Sequence, residues 1–133
     1  MSTAVDSANS APPVQVRVLI VDDQPPFRAV ARTLVSLLKG WSVVGEVATG
    51  EDAVTAAGTT SPGVVLMDIN LPGISGIEAT RQIVESDPTI RVVLMSTYQA
   101  DDLPADALSC GAAAYVRKED LTPKVLREIL LAA

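Results

Sequence analysis

The chain has 133 residues, enough for one compact domain, and 48% of them are hydrophobic while only 3% are aromatic. Its net charge of −6 leaves no basic surface for a phosphate backbone, so we expect this chain itself to bind no nucleic acid. The complete lack of histidine excludes Ser–His and Cys–His catalysis, histidine metal ligands and a phosphohistidine carrier.

The first 13 residues are rich in Ser, Ala and Pro without periodicity, which predicts a disordered tail before a domain at 14–133. The tail lacks the basic and apolar regions of a signal peptide. The apolar runs elsewhere are only as long as strands, so we expect no contact with a membrane and a cytoplasmic location.

The segments after the tail alternate between strand and helix patterns. The β-branched run Gln15–Val21 predicts a first strand, and Pro25 suits the start of a helix that we expect Gly40 to close. The apolar face expected for this helix follows a spacing of three and four residues: Phe27, Val30, Ala31, Leu34 and Leu38. Trp41–Val47 then predicts a second strand, and Glu51–Ala57 predicts a short helix.

The second half continues the alternation. Gly63–Met67 predicts a third strand, and Gly76–Ser86 predicts a helix that stops before Pro88. The remaining predicted elements are a strand at Ile90–Met95, a weakly patterned helix around Asp102–Cys110, a strand at Ala113–Val116 and a helix that Thr122 caps and Pro123 begins. Five strands alternating with five helices predict an α/β fold of the (βα)5 type, with helices covering both faces of a doubly wound parallel sheet.

Polar residues stand at or just beyond the carboxyl ends of four predicted strands: Asp22 with Asp23, Asp68, Ser96 and Lys118. Ligands of doubly wound sheets bind at this edge. Two carboxylates 4 Å apart repel each other by about 4 kcal/mol at an effective dielectric near 20, so three together either raise a pKa or take a cation. Oxygen ligands without a dedicated calcium loop favour Mg²⁺. Taken alone, the first two acids would be an ordinary acidic turn.

Asp68 follows a buried strand and precedes a Pro-Gly turn, and a carboxylate in such a place can attack phosphorus to give an acyl phosphate. Lys118 would supply a fixed positive charge and Ser96 a hydroxyl donor for the phosphoryl oxygens. Each residue alone has a plainer interpretation, a solvated lysine or a turn serine. The combination favours a site that accepts a phosphoryl group.

Four segments resemble the receiver domain of two-component response regulators, particularly the NarL/FixJ type with a LuxR-type output domain: Val18–Gln24, Val64–Glu78, Val92–Thr97 and Gly111–Asp120. They follow one another in order and cover nearly the whole chain after the tail. The resemblance implies the flavodoxin-like strand order 2-1-3-4-5.

The resemblance also implies a role for individual residues. The phosphoacceptor would be Asp68, and Mg²⁺ would be bound by Asp22, Asp23, Asp68 and the backbone carbonyl of Asn70. Lys118 matches the family's lysine, and Ser96 with Tyr115 matches its switch pair, in which the aromatic side chain follows the hydroxyl inward after phosphorylation.

Two positions depart from the usual receiver pattern. Glu119 stands where many receivers carry proline, and Thr97 stands where alanine or glycine is common. We expect Thr97, together with the neighbouring Tyr98, to shield Asp68 and lengthen the lifetime of its phosphoryl group.

The resemblance implies a signalling domain and not an enzyme acting on outside substrates. A histidine kinase would phosphorylate it, and the face formed by its fourth helix, fifth strand and last helix would respond, with homodimerisation as one outcome. The output would be transcription control through a DNA-binding domain outside this chain.

Three other classes of protein share part of this pattern. A pseudo-receiver would bind partners without phosphate, although it usually lacks some of the residues present here. An Asp-nucleophile phosphatase needs a second acid where this chain has Asn70. A flavodoxin-like nucleotide binder needs a Gly-rich first loop, and here that loop is acidic.

Overall fold

The computed structural model describes residues 15–97 and 105–131. Five parallel strands form one sheet: β1 (Val16–Val21), β2 (Trp41–Val47), β3 (Val64–Asp68), β4 (Arg91–Ser96) and β5 (Ala114–Arg117). Their order across the sheet is β2-β1-β3-β4-β5. This order confirms the predicted doubly wound α/β fold.

Four α-helices lie within the described residues: α1 (Pro25–Ser36), α2 (Gly50–Thr60), α3 (Gly76–Ser86) and α4 (Pro123–Leu131). The helix predicted around Asp102–Cys110 lies partly outside them, and its described part contains a 3-10 helix at Ala105–Leu108. A second 3-10 helix, Lys118–Asp120, directly follows β5. None of the helices in this part of the chain has the length and apolar character needed to cross a bilayer.

Side-chain caps set the starts of three helices. The Thr49 hydroxyl accepts a hydrogen bond from the Asp52 amide at 3.0 Å, and Ser75 accepts one from Glu78 at 3.1 Å. Thr122 caps α4 as predicted, by accepting a bond from the Val125 amide at 3.1 Å. The Thr49 cap starts α2 two residues after β2 ends, whereas the Ser75 cap starts α3 after a loop at 69–75 that follows β3 and borders the site.

The sheet separates two apolar cores, because successive strand residues point to opposite faces. On one face, Leu19, Val21 and Met67 pack with residues of α2 and α3. On the other face, Ile20 and Leu66 pack with residues of α1 and α4. Every residue of β3 is buried, and each fully buried aliphatic side chain stabilises the fold by roughly 1.5–3 kcal/mol.

The prediction for α1 was wrong at two points. Val30 is 50% exposed, whereas Ala31, Val35 and Leu38 form the stripe that packs on the sheet. Successive helical residues are rotated by about 100°, so the residue before Ala31 lies at the edge of that stripe. The helix also ends at Ser36, and Gly40 instead forms a turn with a φ of +84°.

Candidate functional site

The three predicted acids meet at the carboxyl edge of the sheet. Asp22 follows β1, and Asp68 is the last residue of β3, one position beyond the predicted end of that strand. One carboxylate oxygen each from Asp22, Asp23 and Asp68 lies within 4.8 Å of the other two. Asp22 and Asp68 are buried and Asp23 is exposed, so the cluster opens to solvent on one side.

Lys118 brings a positive charge into this cluster from the first residue after β5. Its Nζ lies 2.6 Å from Asp22 Oδ2 and 3.5 Å from Asp68 Oδ2, with the side chain 12% exposed. The same ammonium stands 4.5 Å from the centroid of the Phe27 ring, within range of a cation–π interaction. The lysine thus neutralises part of the acidic charge and is held closer to Asp22 than to Asp68.

Asp22 is fixed by hydrogen bonds from both sides. Its Oδ1 accepts a bond from the Gln24 amide at 2.8 Å, and Arg28 Nη1 donates to its backbone carbonyl at 2.7 Å. Its buried Oδ2 faces the Lys118 ammonium at 2.6 Å and accepts no other bond from the described residues. A buried carboxylate oxygen of this kind, beside two further carboxylates, fits a hard cation such as Mg²⁺.

Asp68 has an unusually high pKa for an aspartate. Burial and, to a smaller extent, the nearby Asp22 carboxylate raise the pKa of Asp68 to about 6. The Lys118 ammonium and a hydrogen bond from the Asn70 amide to Asp68 Oδ1, 3.3 Å long, act in the opposite direction. The carboxyl is therefore still mostly ionised at pH 7, as a nucleophile must be.

The loop that follows Asp68 is closed tightly at its base. The Gly76 amide donates to the Ile69 carbonyl at 2.9 Å, and a Cβ at Gly76 would overlap the Asp68 carbonyl oxygen. The Ile69 amide in turn donates to the Met95 carbonyl at 3.0 Å, which extends the pairing of β3 with β4. Only glycine at position 76 allows this close approach to the Asp68 carbonyl. The two hydrogen bonds of Ile69 hold the backbone that directly follows Asp68.

Ser96 and Thr97 lie beside the cluster on the neighbouring strand. Ser96 is 4% exposed at the end of β4, one residue after the partner of Asp68 in the sheet register. The exposed Thr97 follows it, whereas Tyr98 lies outside the described residues. A cavity of about 190 Å³ opens there, lined by Ser96, Thr97, Arg117, Lys118 and Glu119. Glu119 forms an ion pair with Arg117, and the described peptide bonds at this position are trans.

Tyr115 lies on β5 and not in the carboxylate cluster. It is half-buried, and its hydroxyl donates a hydrogen bond to the Ala107 carbonyl in the 3-10 helix Ala105–Leu108. Burial raises the pKa of Tyr115. The tyrosine therefore links β5 to the segment that precedes it.

Three residues near the site were not predicted to belong to it. Phe27 was expected only as an apolar helix residue. Arg28 was not singled out, nor was Glu51, which accepts a hydrogen bond from the Ile74 amide in the loop after Asp68. A sequence pattern shows which face of a helix is apolar, but not which residue that face contacts across a loop. The contact between the Phe27 ring and the Lys118 ammonium was therefore not predicted. Arg28 lies six residues after Asp22, in the first turn of α1, so its nearness to Asp22 could have been suspected from the sequence.

The parallel sheet with acids and a lysine at its carboxyl edge defines the class of receiver domains. The family model described as the response regulator receiver domain matches residues 18–130, and the chain belongs to that family. It is thus a signalling domain of the two-component type, as its resemblance predicted.

Two relatives show the kind of protein in which such a domain occurs. The response regulator UvrY of Escherichia coli K12 is 40% identical over 114 residues, which cover 86% of this chain and 52% of UvrY. The response regulator GacA of Pseudomonas aeruginosa is 39% identical over 103 residues, which cover 77% of this chain and 48% of GacA. The chain thus spans about half the length of these relatives.

Solved structures agree with this assignment. A LuxR-family two-component response regulator from Aurantimonas sp. SI85-9A1 has a TM-score of 0.79 and 35% identity, over 89% of this chain and 84% of that one. The signal receiver domain of NarL from Mycobacterium tuberculosis has a TM-score of 0.81 and 29% identity, over 90% and 97%. Both support the NarL/FixJ-type resemblance.

Proposed function

We propose that Asp68 accepts a phosphoryl group from a partner histidine kinase in an Mg²⁺-dependent reaction, and that the acyl phosphate switches the surface around Tyr115. One observation carries this proposal: the carboxylates of Asp22, Asp23 and Asp68 lie within 4.8 Å of one another, with the Lys118 ammonium 3.5 Å from Asp68. The proposed domain extends over 14–133, preceded by a tail that lies outside the described residues.

The residues proposed to hold Mg²⁺ are the carboxylates of Asp22, Asp23 and Asp68 and the backbone carbonyl of Asn70. A bound Mg²⁺ ion would supply positive charge next to the phosphoryl oxygens. The hard oxygen donors, with the three carboxylates within 4.8 Å of one another, support this ligand set.

In the proposed transfer, an ionised oxygen of Asp68 attacks the phosphorus of a phosphohistidine. The new P–O bond forms as the P–N bond breaks, and the imidazole leaves with the bonding electrons and takes up a proton. Lys118 stabilises the charge on the transferring group, since positioning and electrostatics supply nearly all of the catalysis in phosphoryl transfer. The kinase must bring the phosphohistidine because this chain contains no histidine of its own.

The proposed switch starts from the added charge of roughly −1.5 to −2 on the acyl phosphate. Ser96, which is buried at the end of the adjacent strand, would donate its hydroxyl to that group. Tyr115 would have to give up its hydrogen bond to Ala107 in order to follow. The surface that changes is then the 3-10 helix Ala105–Leu108, β5 and α4.

The output proposed for the whole protein is control of transcription in the cytoplasm through a DNA-binding domain outside this chain, with homodimerisation on phosphorylation. The matched relatives support this proposal, because they are response regulators about twice as long, and the matched Aurantimonas structure is of the LuxR family. In this proposal the chain acts on its own acyl phosphate and on no outside substrate.

The test is the intact mass of the protein after incubation with acetyl phosphate, with Mg²⁺ or with a chelator. We expect one added phosphoryl group with Mg²⁺ and none with the chelator or in Asp68→Asn. The matched control is Asp120→Asn, an exposed acid at the same edge, which should gain the group normally.

Two results would favour the rival classes of protein. A wild-type chain that gains no phosphoryl group and does not respond to beryllofluoride would favour a pseudo-receiver. Repeated release of phosphate from an added phosphate ester would favour an Asp-nucleophile phosphatase.

A further inference from the structure

The first turn of α2 is bonded to the loop that follows Asp68. Glu51 is the second residue of α2, and its Oε2 accepts a hydrogen bond from the Ile74 amide at 3.1 Å. Ile74 lies in the 69–75 loop between β3 and α3. A charged acceptor on a backbone amide makes one of the stronger hydrogen bonds in a protein.

The surrounding backbone is shaped to bring these two groups together. Gly73, on one side of Ile74, has a φ of +75°, and a Cβ there would overlap the Glu51 carboxylate. A Cβ at Gly50 would lie only 2.6 Å from the Ile74 carbonyl oxygen. Glycine at both positions therefore lets the helix start and the loop approach as closely as the hydrogen bond requires.

The same loop carries Asn70, whose carbonyl is proposed to bind the cation. The base of the loop is fixed by the bond between the Gly76 amide and the Ile69 carbonyl at 2.9 Å. The far part, beyond Asn70, is fixed by Glu51 through Ile74. Without Glu51 the loop would keep the bond at its base and the bond from the Asn70 amide to Asp68, but it would lose the contact that fixes the part beyond Asn70.

We propose that Glu51 is a positioning residue that holds the 69–75 loop and thereby sets the affinity of the acidic cluster for Mg²⁺. This inference rests on the proposed function, because it takes the Asn70 carbonyl as a ligand. Groups that orient metal ligands typically change metal affinity by about 10- to 100-fold when they are removed. Glu51 acts through a backbone segment, so we expect the lower end, about 10-fold.

The experiment compares three variants of the full chain. Glu51→Ala removes the acceptor, Glu51→Gln keeps an acceptor oxygen without the charge, and Asp52→Ala removes an equal charge from the same helical turn. Calorimetric titration of each metal-free protein with Mg²⁺ alone gives the affinity. Amide hydrogen exchange at Ile74, followed by NMR without metal, reports the bond directly.

We expect Glu51→Ala to bind Mg²⁺ about 10-fold more weakly and to exchange the Ile74 amide faster. The Mg²⁺ affinities of Glu51→Gln and Asp52→Ala should stay within about threefold of the wild-type affinity. This range allows for the loss of one surface charge, whose effect salt screens. The inference is overturned if Glu51→Ala matches wild type, or if either other variant loses as much affinity as Glu51→Ala.

The two proposals fail in different ways. A wild-type protein that binds no Mg²⁺ would refute the proposed function and, with it, any effect of Glu51 on metal affinity. Normal wild-type binding with an unchanged affinity in Glu51→Ala would refute only the role of Glu51. Unchanged exchange at Ile74 would refute the loop contact itself.

Discussion

Replacing Asp68 by asparagine should stabilise the metal-free protein at neutral pH. Burial raises the pKa of Asp68 to about 6 from an ordinary value of 3.8, so keeping it ionised costs folding free energy. At 1.36 kcal/mol per unit, the cost reaches roughly 3 kcal/mol above pH 6. An asparagine keeps an oxygen for the Asn70 amide, and Lys118 keeps Asp22 as its partner 2.6 Å away.

The pH dependence has a definite sign. Between about pH 4 and pH 6 the native Asp68 holds a proton that the unfolded chain has lost, so wild-type stability falls as the pH rises through this window. Below about pH 4, Asp68 is protonated in both the native and the unfolded state, so Asp68→Asn should hardly change the free energy of unfolding. Chemical unfolding of wild type and Asp68→Asn at pH 4, 5, 6 and 7 in a chelator, followed by far-ultraviolet circular dichroism, measures the difference in free energy.

Two comparisons make this test decisive. Added Mg²⁺ should stabilise wild type and remove most of the advantage of the asparagine variant, because binding favours the native state. In Asp87→Asn the effect should have the opposite sign, since the Thr89 hydroxyl and amide lower the pKa of Asp87. An Asp68→Asn protein that is less stable than wild type at pH 7, or equally favoured at pH 4 and 7, would refute the reasoning.

Three further substitutions test the surroundings of Asp68. Lys118→Met removes the fixed charge and should slow phosphorylation by acetyl phosphate roughly 100-fold in mass-spectrometric time courses; a rate within a few-fold of wild type would contradict its role. Phe27→Leu removes the ring 4.5 Å from the ammonium, a contact worth about 0.5–2 kcal/mol, and should slow the same reaction severalfold, within the roughly thirtyfold that the whole contact could supply, while Phe27→Tyr should react like wild type. Thr97→Ala should lose its phosphoryl group faster than wild type, as measured by the decay of the phosphorylated mass; equal or slower loss would show that Thr97 does not shield Asp68.

The fold could be predicted from the sequence because local signals agreed with the global arrangement. The helix at Gly76–Ser86 and the strand at Trp41–Val47 were predicted with the observed bounds. In α3 the capping Ser75 and the proline after the helix mark both ends, independently of tertiary contacts. The α2 helix runs past its predicted end to Thr60, where Ser61 turns with a positive φ.

The sequence could predict those site residues whose position is set by the end of a strand. The parallel topology alone brings together Asp22, Asp68 and Lys118, because each ends or follows a strand of the same sheet. The contacts made across loops could not be predicted in this way. Glu51 reaches Ile74 across 23 positions of sequence, and the Phe27 ring reaches Lys118 from the opposite end of the domain's chain.

The strands that carry the site residues are buried to different extents. β3, which carries Asp68, is covered on both faces along its whole length, whereas β5, at the border of the sheet, is only half-covered. Under the proposed function, the charge added at Asp68 would meet close packing along its own strand and looser packing around Tyr115 on the border strand, where side chains have more room to move.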